Sequence, residues 1–198
     1  MTPQSLIVRP HKVNDIPLKF AKECAIQIKS FLKHSGIRVK DMKGSSAYRL
    51  NVINELSTLK KGDSFLAFGH GNPDIIHVGA LPPVFTIKDT KHTFEKICYF
   101  LSCCTARGIG QQAIRDGALV FIGFRDEFRV PHRYKDEMAE ACLSGIKKFF
   151  LKKCSIQDIE KIMDSSFDEK EYTITRNGDF IYAAAFAYNR SSLSVLIN

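Results

Sequence analysis

The sequence lacks any apolar run that approaches the roughly 18 residues needed to cross a membrane. Its first residues, MTPQSLIVRPHK, contain no basic segment followed by an apolar one, so we expect no secretory signal. Six cysteines in a chain of 198 residues without such a signal predict free thiols rather than a disulfide framework. We therefore expect a globular protein of the reducing cytoplasm, with no membrane partner.

The spacings typical of metal sites are also absent. The adjacent residues Cys103 and Cys104 are a poor zinc pattern, and the chain has neither a Cys-x-x-Cys nor a His-x-x-x-His pair. The sequence therefore predicts no metal site.

The net charge of +8 raises the question of an acidic partner such as nucleic acid. The lysines are spread over most of the chain, and no aromatic and basic residues alternate as a stacking platform for bases requires. We interpret the charge as a solvated basic surface, so nucleic acid is not expected to be the partner.

No internal repeat, low-complexity tract or linker divides the chain, which predicts a single domain over residues 1–198. Short apolar runs alternate with amphipathic helical patterns, which indicates an α/β sandwich with a mainly parallel sheet covered on both faces. Residues 180–187 and 193–197 are predicted to be two late strands, joined by a turn at 189–192. This pair breaks the alternation, so we expect antiparallel pairing at an edge of the sheet.

Glu95 to Arg107, EKICYFLSCCTAR, is the most informative segment. Its apolar part predicts a buried strand that ends in a site, since small polar residues follow it. The residues from Ala106 to Ala118 are typical of a helix after a turn. This arrangement would place Cys104 at a helix N-terminus, where backbone N–H groups and the helix dipole favour the nucleophilic thiolate.

A second apolar strand, residues 65–68, ends on Gly69-His70-Gly71. If it is the parallel neighbour of the cysteine strand, His70 and Cys104 emerge at the same edge of the sheet, where α/β proteins place their ligands. A cysteine and a histidine are the minimum for acyl transfer by a thiol. The Gly71 and Cys104 N–H groups would then be candidates for an oxyanion hole. A loop histidine and a packed thiol are the ordinary interpretation of the same residues.

Three motifs in order resemble the caspase-like cysteine peptidases of clan CD, which include caspases, gingipains, separases and CHAT domains. They are FLAFGHG (65–71), YFLSCCTARGIG (99–110) and GALVFIGFRDEF (117–128). The resemblance is greatest to the CHAT and separase branch, in which a small residue precedes the cysteine.

This resemblance implies a three-layer α/β/α caspase-like sandwich with a six-stranded, mainly parallel sheet and an antiparallel edge strand. It also implies peptide-bond hydrolysis through a thioester, with Cys104 as nucleophile and His70 as general acid/base. The amides of Gly71 and Cys104 would form the oxyanion hole, and no cofactor is needed.

Two matters stay open at this stage. The segment between Cys104 and the next strand is too short for the cleavable linker of metazoan caspases, so a partner or ligand is the expected restraint. In the following loop, Asp126 would favour a basic substrate residue and Arg125 an acidic one, and both are also interpretable as solvated charges. The alternative function is a catalytically silent adaptor on the same fold.

Overall fold

The computed structural model describes residues 3–79 and 82–198, and a six-stranded sheet forms its centre. The strands are β1 (Gln4–Arg9), β2 (Arg38–Lys43), β3 (Ser64–Phe68), β4 (His70–Gly71), β5 (Ile75–His77), β6 (Phe85–Thr86), β7 (Ile97–Leu101), β8 (Val120–Phe124) and β9 (Leu193–Ile197). The order in the central sheet is β2-β1-β3-β7-β8-β9; its first five members run parallel and β9 is antiparallel. The predicted mainly parallel sheet with an antiparallel edge is confirmed.

Helices cover both faces of this sheet. They are α1 (Ile16–His34), α2 (Arg49–Thr58), α3 (Ile109–Arg115), α4 (Lys135–Phe150), α5 (Ile159–Arg176) and α6 (Phe180–Ser192). One buried cluster joins the sheet to α1, α4, α5 and α6, and a second joins it to α2, α3 and the β5–β6 hairpin. The molecule is therefore a three-layer α/β/α sandwich, as predicted.

The strands β3, β7 and β8 are buried along their whole length because each of their faces meets one of the two clusters. In β7, Tyr99 belongs to the cluster with α1 and α4, while its neighbour Phe100 belongs to the other. The Phe100 ring lies 5.1 Å from that of Phe65 on β3 and 4.9 Å from that of Phe121 on β8, measured between centroids. These contacts fix the strands that carry the candidate site.

The prediction of a strand at residues 180–187 and a turn at 189–192 is wrong, because these residues form α6. Its buried residues are Ala183, Phe186, Asn189 and Ser192, at intervals of three, which is the spacing of one helical face. The helix also contains a run of alanines, and alanine has the highest helix propensity of all residue types. The predicted strand at 193–197 is confirmed as β9, which pairs with β8.

A small second sheet of β4, β5 and β6 stands beside the central one. It contains a hairpin in which Ile75 and Ile76 pair antiparallel with Thr86 and Phe85. A 3-10 helix at Ile87–Thr93 follows the hairpin. Among the described residues, no helix is both long and apolar enough to cross a membrane.

Candidate active site

The ends of β3 and β7 bring the two candidate segments together. The strands are parallel, Phe68 is opposite Leu101, and the Gly69 N–H donates to the Leu101 carbonyl at 3.2 Å. His70 and Cys104 therefore leave the sheet at the same edge, and the predicted pairing of their strands is confirmed.

Gly71 lies directly against the loop before Cys104. A methyl group at Gly71 would lie 2.1 Å from Ser102 Oγ and 3.0 Å from the Cys103 carbonyl oxygen. Only a residue without a side chain allows this approach of the two segments. Ser102 Oγ is buried and has no hydrogen-bond partner among the described residues.

Cys103 is held by the loop that follows β8. Its Sγ accepts a hydrogen bond from the Phe128 N–H at 3.2 Å. The Phe128 ring packs against Phe124 and Phe20, with centroid distances of 4.8 Å and 5.8 Å. Burial raises the pKa of the Cys103 thiol, although the Phe128 N–H acts in the opposite direction. The sulfur of Cys103 is thus held in a contact with the backbone of the loop after β8.

Cys104 differs from Cys103 in both backbone and surroundings. Its φ is 58°, in the left-handed region, and its N–H donates to the Asp126 carbonyl at 3.0 Å. Burial is the largest cause that raises the pKa of its thiol, and the nearby Cys103 raises it further. The positive charge of Arg107 lowers this pKa, whereas the negative charges of Asp126 and Glu127 raise it.

The expectation that a helix N-terminus favours the Cys104 thiolate is wrong. Helix α3 begins at Ile109, with Gly108 as its N-cap, and the residues from Cys103 to Gly108 form turns instead. The dipole effect falls off within the first turn of a helix, so it does not reach this cysteine.

His70 has a partner that the sequence analysis did not identify. Its Nε2 lies 3.2 Å from Asp15 Oδ1, and the same carboxylate oxygen accepts the Leu18 N–H at 2.8 Å as the N-cap of α1. A signal existed: parallel topology puts the start of α1 at the C-terminal edge of β1, which is next to β3. Asp15 is recognisable in the sequence as the N-cap of α1, so topology alone would place it at the edge of the sheet that carries His70.

The two candidate specificity residues have different surroundings. The Asp126 carboxylate forms a salt bridge with Arg107. The Arg125 guanidinium donates to the Ser191 carbonyl at 3.1 Å and lines a pocket of about 430 Å³ that begins two residues after Cys104. Asp126 is not among the residues that line this pocket. Within the described part of the chain, no three His, Cys, Asp or Glu side chains are grouped so that they can hold a metal ion.

Comparison with known proteins identifies the fold of this chain and leaves its activity open. No family model matches the sequence, and no curated protein matches it. A solved structure that matches is the complex of the pro- and mature domains of RgpB from Porphyromonas gingivalis, with a TM-score of 0.64 and 13% identity. The alignment covers 98% of this chain and 47% of the RgpB chain. RgpB is a gingipain, a clan CD cysteine peptidase, so the fold is that of the caspase-like peptidases.

Proposed function

We propose that this chain is a caspase-like cysteine endopeptidase, formed by residues 1–198 as one domain. Cys104 is the nucleophile, His70 the general acid/base, and the Gly71 and Cys104 amides bind the oxyanion. The motif order supports the CHAT and separase branch, with Cys103 in the position of the small residue. The free thiols of all six cysteines are compatible with a reducing, cytoplasmic location.

The observation that carries the proposal is the close approach of Gly71 to Ser102 Oγ and to the Cys103 carbonyl oxygen. Through it, the segment that carries His70 lies against the segment that leads to Cys104, at one edge of a parallel sheet. In the reaction, His70 accepts the thiol proton while Cys104 Sγ attacks the scissile carbonyl carbon. The C–N bond breaks, the leaving amine takes the proton from His70, and water then hydrolyses the thioester.

The site has the features of a resting state. The Cys104 N–H is occupied by the Asp126 carbonyl, and the Cys104 pKa is raised. An oxyanion can use this amide only after the loop that contains Asp126 moves. Such a movement would also separate Asp126 from the thiol and favour the thiolate. We therefore propose activation by a protein partner or a ligand that displaces this loop.

Asp15 is proposed to position His70, and Asp15→Asn separates that role from helix capping. Asn caps a helix as well as Asp does, so the melting temperature should change little. The pair is exposed, and its charge attraction is worth at most about 1 kcal/mol, so kcat should fall about two- to fivefold with KM unchanged. Steady-state kinetics and thermal melting provide the two readouts.

Asp15→Ala is the matched control, because it removes both the charge and the cap. It should show the same loss of kcat and, in addition, a loss of about 1 kcal/mol in stability. A kcat in Asp15→Asn equal to that of the wild type would remove Asp15 from the mechanism.

The proposal is tested by labelling with peptidyl chloromethyl ketones that present Arg, Lys or Asp before the reactive group. Peptide mapping by mass spectrometry should find the adduct on Cys104, and free iodoacetamide measures the general reactivity of each thiol. Label on Cys104 by a peptide probe, faster than its reaction with iodoacetamide predicts, supports a peptidase.

The alternative is a silent adaptor with this fold, which the raised Cys104 pKa and the occupied amide favour. Probes that leave Cys104 unlabelled, both with the chain alone and in cell extract containing its partners, would support the adaptor and end the peptidase proposal.

A further inference from the structure

A second pocket, largely apolar, lies at the edge of the sheet opposite the candidate active site. It reaches Ile97, the first residue of β7, and Ile37, which directly precedes β2, whereas His70 and Cys104 come after the last residues of their strands. Its volume of about 460 Å³ falls in the range of roughly 300–1,000 Å³ that is typical of small-molecule sites. This apolar pocket is therefore large enough for a ligand and separate from the proposed chemistry.

The end of α4 supplies the aromatic wall of the apolar pocket. Phe149 and Phe150 pack edge to face, with ring centroids 5.7 Å apart, and both are only partly buried against the core. Ile37 and Ile97 are buried and continue the apolar lining. The Ile37 N–H donates to the Leu32 carbonyl at 3.0 Å, so the turn from α1 into β2 is fixed by the backbone. The pocket is thus formed before any ligand arrives.

A smaller, basic pocket of about 220 Å³ adjoins the apolar one. The two share Pro3 and Gly62 in their linings. Three residues of the basic pocket carry a positive charge, namely Arg38, Lys60 and Lys61. An apolar chamber therefore stands directly beside a cationic one.

The charges of the basic pocket are only partly neutralised by the chain itself. Asp63 is the acidic residue of its lining, and one of its carboxylate oxygens accepts the Lys60 N–H at 2.8 Å. Lys61 pairs with Glu95 at 2.9 Å. The exposed Arg38 forms no salt bridge with any residue that the structure describes, so its guanidinium is open to an anion from outside.

The C-terminal ends of α1 and α4 also border the apolar pocket. A helix C-terminus carries partial negative charge, which by itself would favour a cation. The last turns of these helices contain Lys33, His34, Lys147 and Lys148, which offset it. Lys152 adds a further positive charge to the lining. The balance at this edge is therefore positive, and it suits a ligand with a negative head.

We propose that the two pockets together bind a medium-chain acyl carboxylate. Its alkyl chain lies against Phe149 and Phe150 in the apolar pocket. Its carboxylate passes the shared residues Pro3 and Gly62 and pairs with Arg38, whose guanidinium donates two parallel hydrogen bonds. A linear molecule with one charged end matches an apolar pocket that adjoins a basic one. This site is independent of the proposed peptidase, because it lies at the opposite edge of the sheet.

Isothermal titration calorimetry on the full chain at low salt is the first test, with each probe kept below its micelle concentration. Decanoate should bind roughly tenfold tighter than octanoate, because two more methylene groups are buried. Decanamide has the same chain and a neutral head, and it should bind about three- to fivefold weaker than decanoate, since an exposed ion pair contributes little more. Raising the salt concentration should reduce this second difference.

Arg38→Gln tests the recognition of the head. It should lower the affinity for decanoate to that for decanamide and leave decanamide binding unchanged, because only the carboxylate loses its partner. Arg38 is exposed on the edge strand β2, so the melting temperature should stay the same. Arg176→Gln, on α5 and outside both pockets, is the matched control and should bind as the wild type does. An undiminished preference for decanoate in Arg38→Gln would overturn the proposal.

Cys154 lines the apolar pocket and reports where the ligand binds. At a decanoate concentration about ten times its Kd, alkylation of Cys154 by iodoacetamide should slow about tenfold, because the occupied pocket excludes the reagent. Cys104, at the opposite edge, should react at an unchanged rate in the same sample. Peptide mapping by mass spectrometry measures both. Alkylation of Cys154 that decanoate does not slow would place the ligand elsewhere and refute this site.

Two further results would contradict the proposal. Equal affinities for octanoate and decanoate would show that the alkyl chain is not buried. Tighter binding of decyltrimethylammonium than of decanoate would show that the helix C-termini, and not Arg38, determine the charge of the ligand.

Discussion

Cys104→Ala is expected to lower peptidase activity by at least about 10³-fold, whereas Cys103→Ala retains most of it. Cys104 presents its thiol on a turn at the sheet edge, next to the segment that carries His70. The Cys103 sulfur is occupied by the Phe128 N–H. His70→Ala should reduce kcat by roughly 10²- to 10⁴-fold, the usual contribution of a general acid/base.

For stability the order is reversed, and Cys103 is the cysteine whose replacement matters more. Cys103→Ala leaves the Phe128 N–H without its acceptor, and we expect a loss of about 1 kcal/mol in the free energy of unfolding. Turnover of a peptide substrate and urea denaturation should both be measured on the wild type, Cys103→Ala and Cys104→Ala. An inactive Cys103→Ala with a fully active Cys104→Ala would show that the nucleophile is Cys103.

Gly71→Ala is expected to disrupt the site through sterics alone. Its new methyl group would lie 2.1 Å from Ser102 Oγ and 3.0 Å from the Cys103 carbonyl oxygen. Such overpacking costs about 1–3 kcal/mol and forces the two strand ends apart. Since misplacing a reacting group by about 1 Å can cost 10²-fold in rate, kcat should fall about 10²-fold even where the variant folds.

Ser102→Gly provides the second half of a double-mutant cycle for this contact. It removes Ser102 Oγ, so Gly71→Ala should be less destabilising in that background than in the wild type. Thermal melting and kcat should be compared across the four chains. A Gly71→Ala chain with wild-type stability and wild-type kcat would show that the close approach does not exist in solution.

The strands that carry this site could be predicted from the sequence, because a strand that is buried on both faces appears as a continuous apolar run. The runs in β3, β7 and β8 are continuously apolar, and each ends in small or polar residues, so their pairing at one edge followed from topology. Helix α6 was missed because its first eight residues, FIYAAAFA, are a short apolar run with aromatic residues, a pattern that a buried strand shares with a buried helix. Its packing partners on α5 are what select the helix.

The fine contacts of the site were beyond a one-dimensional pattern. Sequence alone did not show that Asp15 would reach His70, since the two lie on different elements that meet only in the folded sheet. Nor did it show that Arg107 would neutralise Asp126 and leave Arg125 at the pocket. The residues after Cys104 were mistaken for helix because the helical pattern of α3 was extended back to Ala106, whereas Gly108 is the N-cap and the helix begins at Ile109.

The positive φ of Cys104 has a consequence for any attempt to stabilise the protein. An L-residue in the left-handed region costs roughly 1–2 kcal/mol, and glycine adopts it without that penalty. A selection for thermostability alone would therefore favour Cys104→Gly and eliminate the thiol.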